Sequence, residues 1–187
     1  MAVQIKLDQN SETEDIKVCP VSSYNEWDPL EEVIVGRVDG AVDPDWIEIE
    51  KVTVPPASKE ALEEDKGEPY ATYEINPAEK ELEEFIHILK AEGVAVRRPD
   101  VFEYAAPYST PAWGVGNGFC AADPRDVFLV IGNEIIETPM PDRSRYFETW
   151  SYRTLLKEYF AGGARWTAAP KPQLLDMQKI TPSGSQI

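Results

Sequence analysis

The stretch DVFLVIGNEIIETP, residues 126–139, decides the fold. Two runs of β-branched and aromatic residues flank Gly132-Asn133, and a two-residue link of that kind reads as a β-hairpin closed by a type II′ turn. Downstream, Tyr152, Leu155, Leu156 and Tyr159 recur at helical spacing between about Ser144 and Ala161. Gly162-Gly163 stops that helix before the strand ARWTA, residues 164–168. The order is ββαβ, and the chain is α/β.

Upstream, LEEVIVGRV (30–38) is a strand pattern. The acidic, proline-bearing segment Asp39–Asn76 reads as a long loop or insertion with little regular structure. A helix is expected from Asn76 as N-cap, with Pro77 at its first position and Glu79 at its third, and its apolar residues Leu82, Phe85, Ile86 and Leu89 share one face. Gly93 ends it, and VAVRRP (94–99) is the next strand. Strand 30–38, helix 76–92 and strand 94–98 thus repeat much of the later ββαβ order. Between the two units, Tyr104–Gly118 is rich in Pro, Gly and aromatics and reads as a surface loop. Residues 1–20 read as a flexible acidic tail, and 173–187, which lose all periodicity, as an irregular C-terminal tail.

The 187 residues carry 34 acidic and 18 basic side chains, a formal charge of −16, and that balance excludes a nucleic-acid partner, whose phosphates need Lys and Arg. No apolar run is long enough to span a bilayer, and MAVQIKLDQNSETED at the start has neither a signal h-region nor transit-peptide character, so a cytoplasmic location is expected. Two cysteines and one histidine make neither a disulfide framework nor a zinc site. With no phosphate-binding glycine loop or nucleotide fingerprint, no metal and no cofactor are expected.

Individual reactive residues read as structural. Cys120, in GFCAA, has no basic neighbour to lower its thiol pKa and is expected to pack as a small hydrophobe; Cys19 has a weaker claim still. His87 falls about 140° round the helical wheel from Leu82, on the solvated face. Arg143 and Arg145 of DRSR stand where a helix start needs ordering by local hydrogen bonds, and that role is preferred to carboxylate binding. In NEWDPLEE, Asp28-Pro29 reads as a turn and Glu31-Glu32 as exposed charge.

Five colinear blocks point further: CPVSSYNEWDPLEEVIVGR (19–37), ILKAEGVAVRRPD (88–100), PRDVFLVIGNEIIETPM (124–140), RSRYFE (143–148) and ARWTAAPKP (164–172). Together they closely resemble the amidinotransferases, above all the glycine amidinotransferases. The resemblance implies a pentein α/β-propeller of five ββαβ modules round a central active site. About two of the five would be present, residues 21–172 being the N-terminal part of the domain, because a complete family member is roughly twice this length. It also implies amidino transfer from L-arginine to an amine, glycine in the closest type, giving ornithine and guanidinoacetate. An amine acceptor of secondary metabolism, or a truncated non-catalytic arginine-binding module, are the other readings. The small-molecule partners would be L-arginine and the acceptor, and the complete protein would be a homodimer.

Such a transfer needs a thiolate to attack the guanidinium carbon, a histidine to protonate the leaving amine, and carboxylates that accept the planar guanidinium. The resemblance places the cysteine, histidine and one aspartate of the family's reaction beyond Ile187, so no catalytic residue is expected in this chain. It assigns one substrate-binding residue here: Asp126 of PRD, which would contact the guanidino group of arginine. A partial propeller would also expose apolar module faces and be poorly soluble alone.

Overall fold

The computed structural model describes residues 19–45 and 54–171. The tails expected at 1–20 and 173–187 lie outside the described residues, apart from Cys19 and Pro20. The hairpin forms as its sequence requires. Strands β5 (Phe128–Ile131) and β6 (Glu134–Glu137) pair antiparallel from Phe128 opposite Glu137 to Ile131 opposite Glu134, which leaves Gly132-Asn133 as the link. Gly132 has φ +59° while no described non-glycine residue has positive φ, the signature of the type II′ turn. A 3-10 turn (Glu148–Tyr152) then leads into helix α4 (Arg153–Ala161), and β7 (Arg165–Ala168) returns parallel to β6 in the sheet order β5-β6-β7. This is a ββαβ unit.

The earlier unit is smaller. Strand β1 (Glu32–Ile34) pairs parallel with β2 (Ala95–Arg97), joined by helix α2 (Thr72–Ala91). Arg37 bridges to Ala121 beyond the end of β1. There the two chain segments approach so closely that a Cβ at Gly36 would lie 1.9 Å from the carbonyl oxygen of Ala122, so only glycine fits.

Four expectations need correction. The helix expected from about Ser144 begins at Arg153, the residues before it forming turns and the 3-10 segment Glu148–Tyr152. Helix α2 begins at Thr72 rather than after Asn76, and Pro77 sits inside it. The Glu74 carboxylate accepts the Ala71 N–H at 3.2 Å and the Ala71 carbonyl accepts the Glu74 N–H at 2.9 Å, so the helix is opened one turn before the proline. Pro77 removes a single hydrogen bond there and does not stop the helix. Segment 39–76 is also more regular than a loop: a 3-10 turn (Pro56–Ser58) runs into helix α1 (Lys59–Asp65), because Pro56 stands at the first position of the turn, where its fixed φ is helical. Finally, Tyr104–Gly118 is not a plain surface loop. It holds a small hairpin of β3 (Tyr108–Ser109) and β4 (Gly114–Val115) and buries Tyr104, Trp113, Val115 and Asn117.

The core lies between α4 and the three-stranded sheet. Phe128 and Ile135 from the hairpin meet Tyr152, Leu155, Leu156 and Tyr159, the helical stripe expected from the sequence. Tyr152 has no exposed surface; its ring meets Phe128 edge-on at 5.1 Å and its hydroxyl donates to the Ala121 carbonyl at 2.8 Å. On α2, Ile86 is buried and His87 exposed as expected, but Phe85 of the predicted stripe is exposed. The sheet face turned away from α4 is also open, with Leu129 50% and Ile131 57% exposed. Among the described residues no helix is long and apolar enough to cross a membrane.

Truncating Leu156, which is 1% exposed, leaves a cavity among Tyr152, Leu155 and the sheet. Leu156→Ala is expected to lower the unfolding free energy by about 3 kcal/mol. Leu129→Ala on the open face should change it by no more than about 0.5 kcal/mol. Urea denaturation followed by circular dichroism measures both, and equal losses would refute this placement of the core.

Candidate functional site

Asp126 lies in a single helical turn, α3 (Pro124–Val127), immediately before β5. Its main chain is fixed on both sides: the N–H donates to the Asp123 carbonyl at 3.1 Å, and the carbonyl accepts from Thr138 Oγ1 at 2.7 Å. The side chain is 48% exposed, and one oxygen, Oδ2, accepts from Arg145 Nη1 at 3.0 Å. Among the described residues Oδ1 has no hydrogen-bond partner. Asp126 therefore presents one restrained and one open carboxylate oxygen to solvent.

Arg145 is the hinge of a larger arrangement. Its Nε and Nη2 grip both oxygens of Glu148, at 2.7 and 3.1 Å, while Nη1 reaches Asp126, so one guanidinium binds a buried and an exposed carboxylate together. Glu148 is 1% exposed at its side chain. Burial pushes its carboxyl above the ordinary range despite the opposing pull of Arg145. Burial alone would weaken the charge of Arg145, but the Glu148 and Asp126 carboxylates outweigh it and hold the guanidinium protonated. The guanidinium also lies over the Phe119 ring, 5.7 Å from its centroid.

Of the two arginines expected to order a helix start by local hydrogen bonds, Arg145 bonds locally to Glu148 but also reaches Asp126 nineteen residues away, and the turn at DRSR is closed by Asp142 and Ser144 instead. Asp142 Oδ1 accepts from both the N–H and the hydroxyl of Ser144, at 2.8 and 2.6 Å, and the Arg143 guanidinium lies over Trp113 at 5.2 Å. Glu148 was the missed member. Its i, i+3 spacing from Arg145 was visible in RSRYFE and is a recognised pairing distance on a helical turn. Glu32, read as exposed charge, needs correction too: it is half-buried, accepts the Tyr159 hydroxyl at 2.6 Å and lies 3.9 Å from Arg97. A helix from the second unit and a strand from the first meet at this carboxylate, a contact no local pattern announces.

Neither thiol nor imidazole joins Asp126 as a catalytic group. Cys120 is buried, and burial pushes its thiol up to about 12. His87 is exposed on α2. Among the described residues no group of three or more His, Cys, Asp and Glu side chains is placed to hold a metal ion. The constellation can accept a guanidinium at Asp126, and it supplies neither a nucleophile nor a proton donor there.

Comparison with known proteins gives this constellation its context. No family model matches the chain. The L-arginine:L-lysine amidinotransferase of Pseudomonas savastanoi pv. phaseolicola is 48% identical over 165 residues, which cover 88% of this chain and 45% of that protein. The mitochondrial glycine amidinotransferase of Xenopus tropicalis is 46% identical over 162 residues, 86% of this chain and 38% of that protein. Among solved structures, SxtG, an amidinotransferase from Microseira wollei in the saxitoxin biosynthetic pathway, superposes with a TM-score of 0.76 at 63% identity, covering 86% of this chain and 44% of that one. The inosamine-phosphate amidinotransferase StrB1 from Streptomyces griseus gives 0.76 at 42% identity, covering 84% and 45%. By sequence and by fold, then, the chain is a homologue of the amidinotransferase family. It spans under half the length of the relatives it matches.

Two outcomes follow from the local chemistry. Arg145→Met strands the Glu148 charge in the interior and is expected to cost about 3–5 kcal/mol of stability, whereas Asp126→Asn, at an exposed pair, should cost no more than about 1 kcal/mol. Chemical denaturation of the two variants measures the difference, and similar small losses would show that Glu148 is not a buried charge. The Cys120 thiol has a folded value above its ordinary 9.0, so its contribution is fully present below pH 9 and is lost as pH rises toward about 12. At pH 8 the native thiol should resist a thiol reagent that titrates it at once in denaturant; rapid native labelling of Cys120 would contradict its burial.

Proposed function

We propose that this chain carries the arginine-donor side of an amidinotransferase site, with Asp126 accepting the substrate guanidinium. The observation that carries the reading is the half-free carboxylate itself. Asp126 stands in the PRD motif that carries the family resemblance, is braced at Oδ2 by Arg145 and is half exposed, with Oδ1 unpartnered among the described residues. A guanidinium is planar, permanently charged and rich in donors, so an oriented carboxylate oxygen is the complementary partner. In the complete reaction the Cζ–Nε bond of arginine breaks, Nε taking up a proton to become the δ-amino group of ornithine, and Cζ forms a new bond to the nitrogen of an acceptor amine, which gives up a proton, so that arginine and the amine give ornithine and the amidino-substituted amine. The thiol and imidazole suited to that chemistry do not gather at Asp126, and the two ββαβ-type units are read as about two of five modules. The chain by itself is accordingly read as binding the donor without turning it over.

Glycine is the acceptor in some relatives, but the 63% identity to an amidinotransferase of the saxitoxin pathway, against 46% to the frog glycine enzyme, supports an amine of secondary metabolism. A homodimer is the corresponding reading for the complete protein.

Isothermal titration of the folded chain with L-arginine tests the donor reading. Weak binding is expected, reduced about tenfold or more in Asp126→Asn, with no ornithine released when glycine or another amine is added. Arginine affinity unchanged by Asp126→Asn would overturn the assignment. Ornithine production that survives both Asp126→Ala and Cys120→Ser would overturn the claim that the chain is inactive alone.

A further inference from the structure

A concavity of about 500 Å³ lies where the 3-10 turn and the start of α4 face the ends of β6 and β7. It is lined by Phe147, Trp150 and Trp166 together with Glu137, Arg153 and Lys171, and that volume suits a small organic ligand. The aromatic wall is ordered. Phe147 and Trp150 pack with ring centroids 4.8 Å apart, and Trp166 Nε1 donates to Glu137 Oε1 at 2.9 Å, which fixes the indole against the sheet.

The two cations are the unusual part. The Arg153 guanidinium stacks over Trp166, 5.5 Å from the ring centroid, and has no hydrogen-bond acceptor among the described residues. Lys171 lies 4.8 Å from the Tyr146 ring centroid and donates to the Tyr146 carbonyl at 3.0 Å, leaving two ammonium protons uncommitted to described residues. Neither forms an ion pair with a carboxylate among the described residues, in a chain that carries 34 acidic side chains against 18 basic. Burial lowers the Lys171 pKa and the nearby Arg153 charge lowers it further, against the pull of Glu137. An anion entering here would relieve both cations at once, and the single Glu137 charge limits the preference to a monoanion.

We propose that this cleft binds a small organic monocarboxylate with a ring-sized apolar body. The carboxylate would lie between Arg153 and Lys171, and the body against Phe147, Trp150 and Trp166. Bidentate pairing to the guanidinium fork supplies orientation, while the aromatic walls supply apolar burial. This inference is independent of the amidinotransferase reading, since none of these side chains touches Asp126.

Phenylacetate is a suitable probe, titrated against the full chain by calorimetry and by quenching of tryptophan fluorescence. Saturable binding in the millimolar range or tighter is expected, weakened about tenfold in Arg153→Gln and in Lys171→Gln. The uncharged phenylacetamide should bind at least about tenfold more weakly than phenylacetate. Circular dichroism of each variant verifies its fold, and the amide comparison needs no variant at all. The proposal is overturned if phenylacetate does not bind, if the amide binds equally well, or if both glutamine variants bind as the unaltered chain does.

Discussion

A carboxylate taken almost completely out of water must have its charge met where it stands, and Glu148 is such a group. Both of its oxygens are held by Arg145, and the remaining donor of that guanidinium reaches outward to Asp126. A buried pair of this kind is weak evidence for stability, because desolvation offsets much of the attraction. Its effect is to fix geometry. The turn at 142–148, the short helix that presents Asp126 and the Phe119 ring are all located relative to one guanidinium.

Around that charge cluster the second unit is assembled by tyrosines that work at both ends. Tyr152 fills the space against Phe128 and spends its hydroxyl on the Ala121 carbonyl; Tyr159 packs in the same core and reaches Glu32 on the first unit. Such residues bury apolar rings while satisfying a polar tip, so they join a helix to a neighbouring segment without leaving an orphaned group. The contacts of Gly36 with the Ala122 backbone close the same seam from the other side. Arg97 with Glu158, Thr154 with Asp100 and the Asp100 N–H with the Ser151 carbonyl add further directed contacts between the two units, and Asp126 stands at the entrance of β5 in the second.

The open sheet face bears on function. Leu129 and Ile131 lie on a strand that follows directly from Asp126, and Tyr24 and Trp27 are also exposed, at 77% and 84%. Apolar surface of this extent is usually covered by a partner or by further structure. The chain spans under half the length of the relatives it matches.

Periodicity made the second unit legible. A glycine-led two-residue turn between apolar runs, a helical stripe from Tyr152 to Tyr159 and a double-glycine stop are local signals, and local backbone chemistry enforces them. The helix start at Thr72, the helix at Lys59–Asp65 and the small hairpin within Tyr104–Gly118 escaped the same reading, because prolines were taken as boundaries and glycines as loop markers. Asp126 was picked out by its motif, and its restraint was not. Whether Arg145 orders a turn, grips a buried glutamate or faces a ligand depends on which groups lie within a few ångströms across nineteen residues of chain, and only the packed structure decides that. The sequence by itself determined the elements whose hydrogen bonds and apolar faces close locally. Tertiary structure alone decided which charges were buried, and therefore which carboxylate was neutralised within the chain and which was left with an open oxygen.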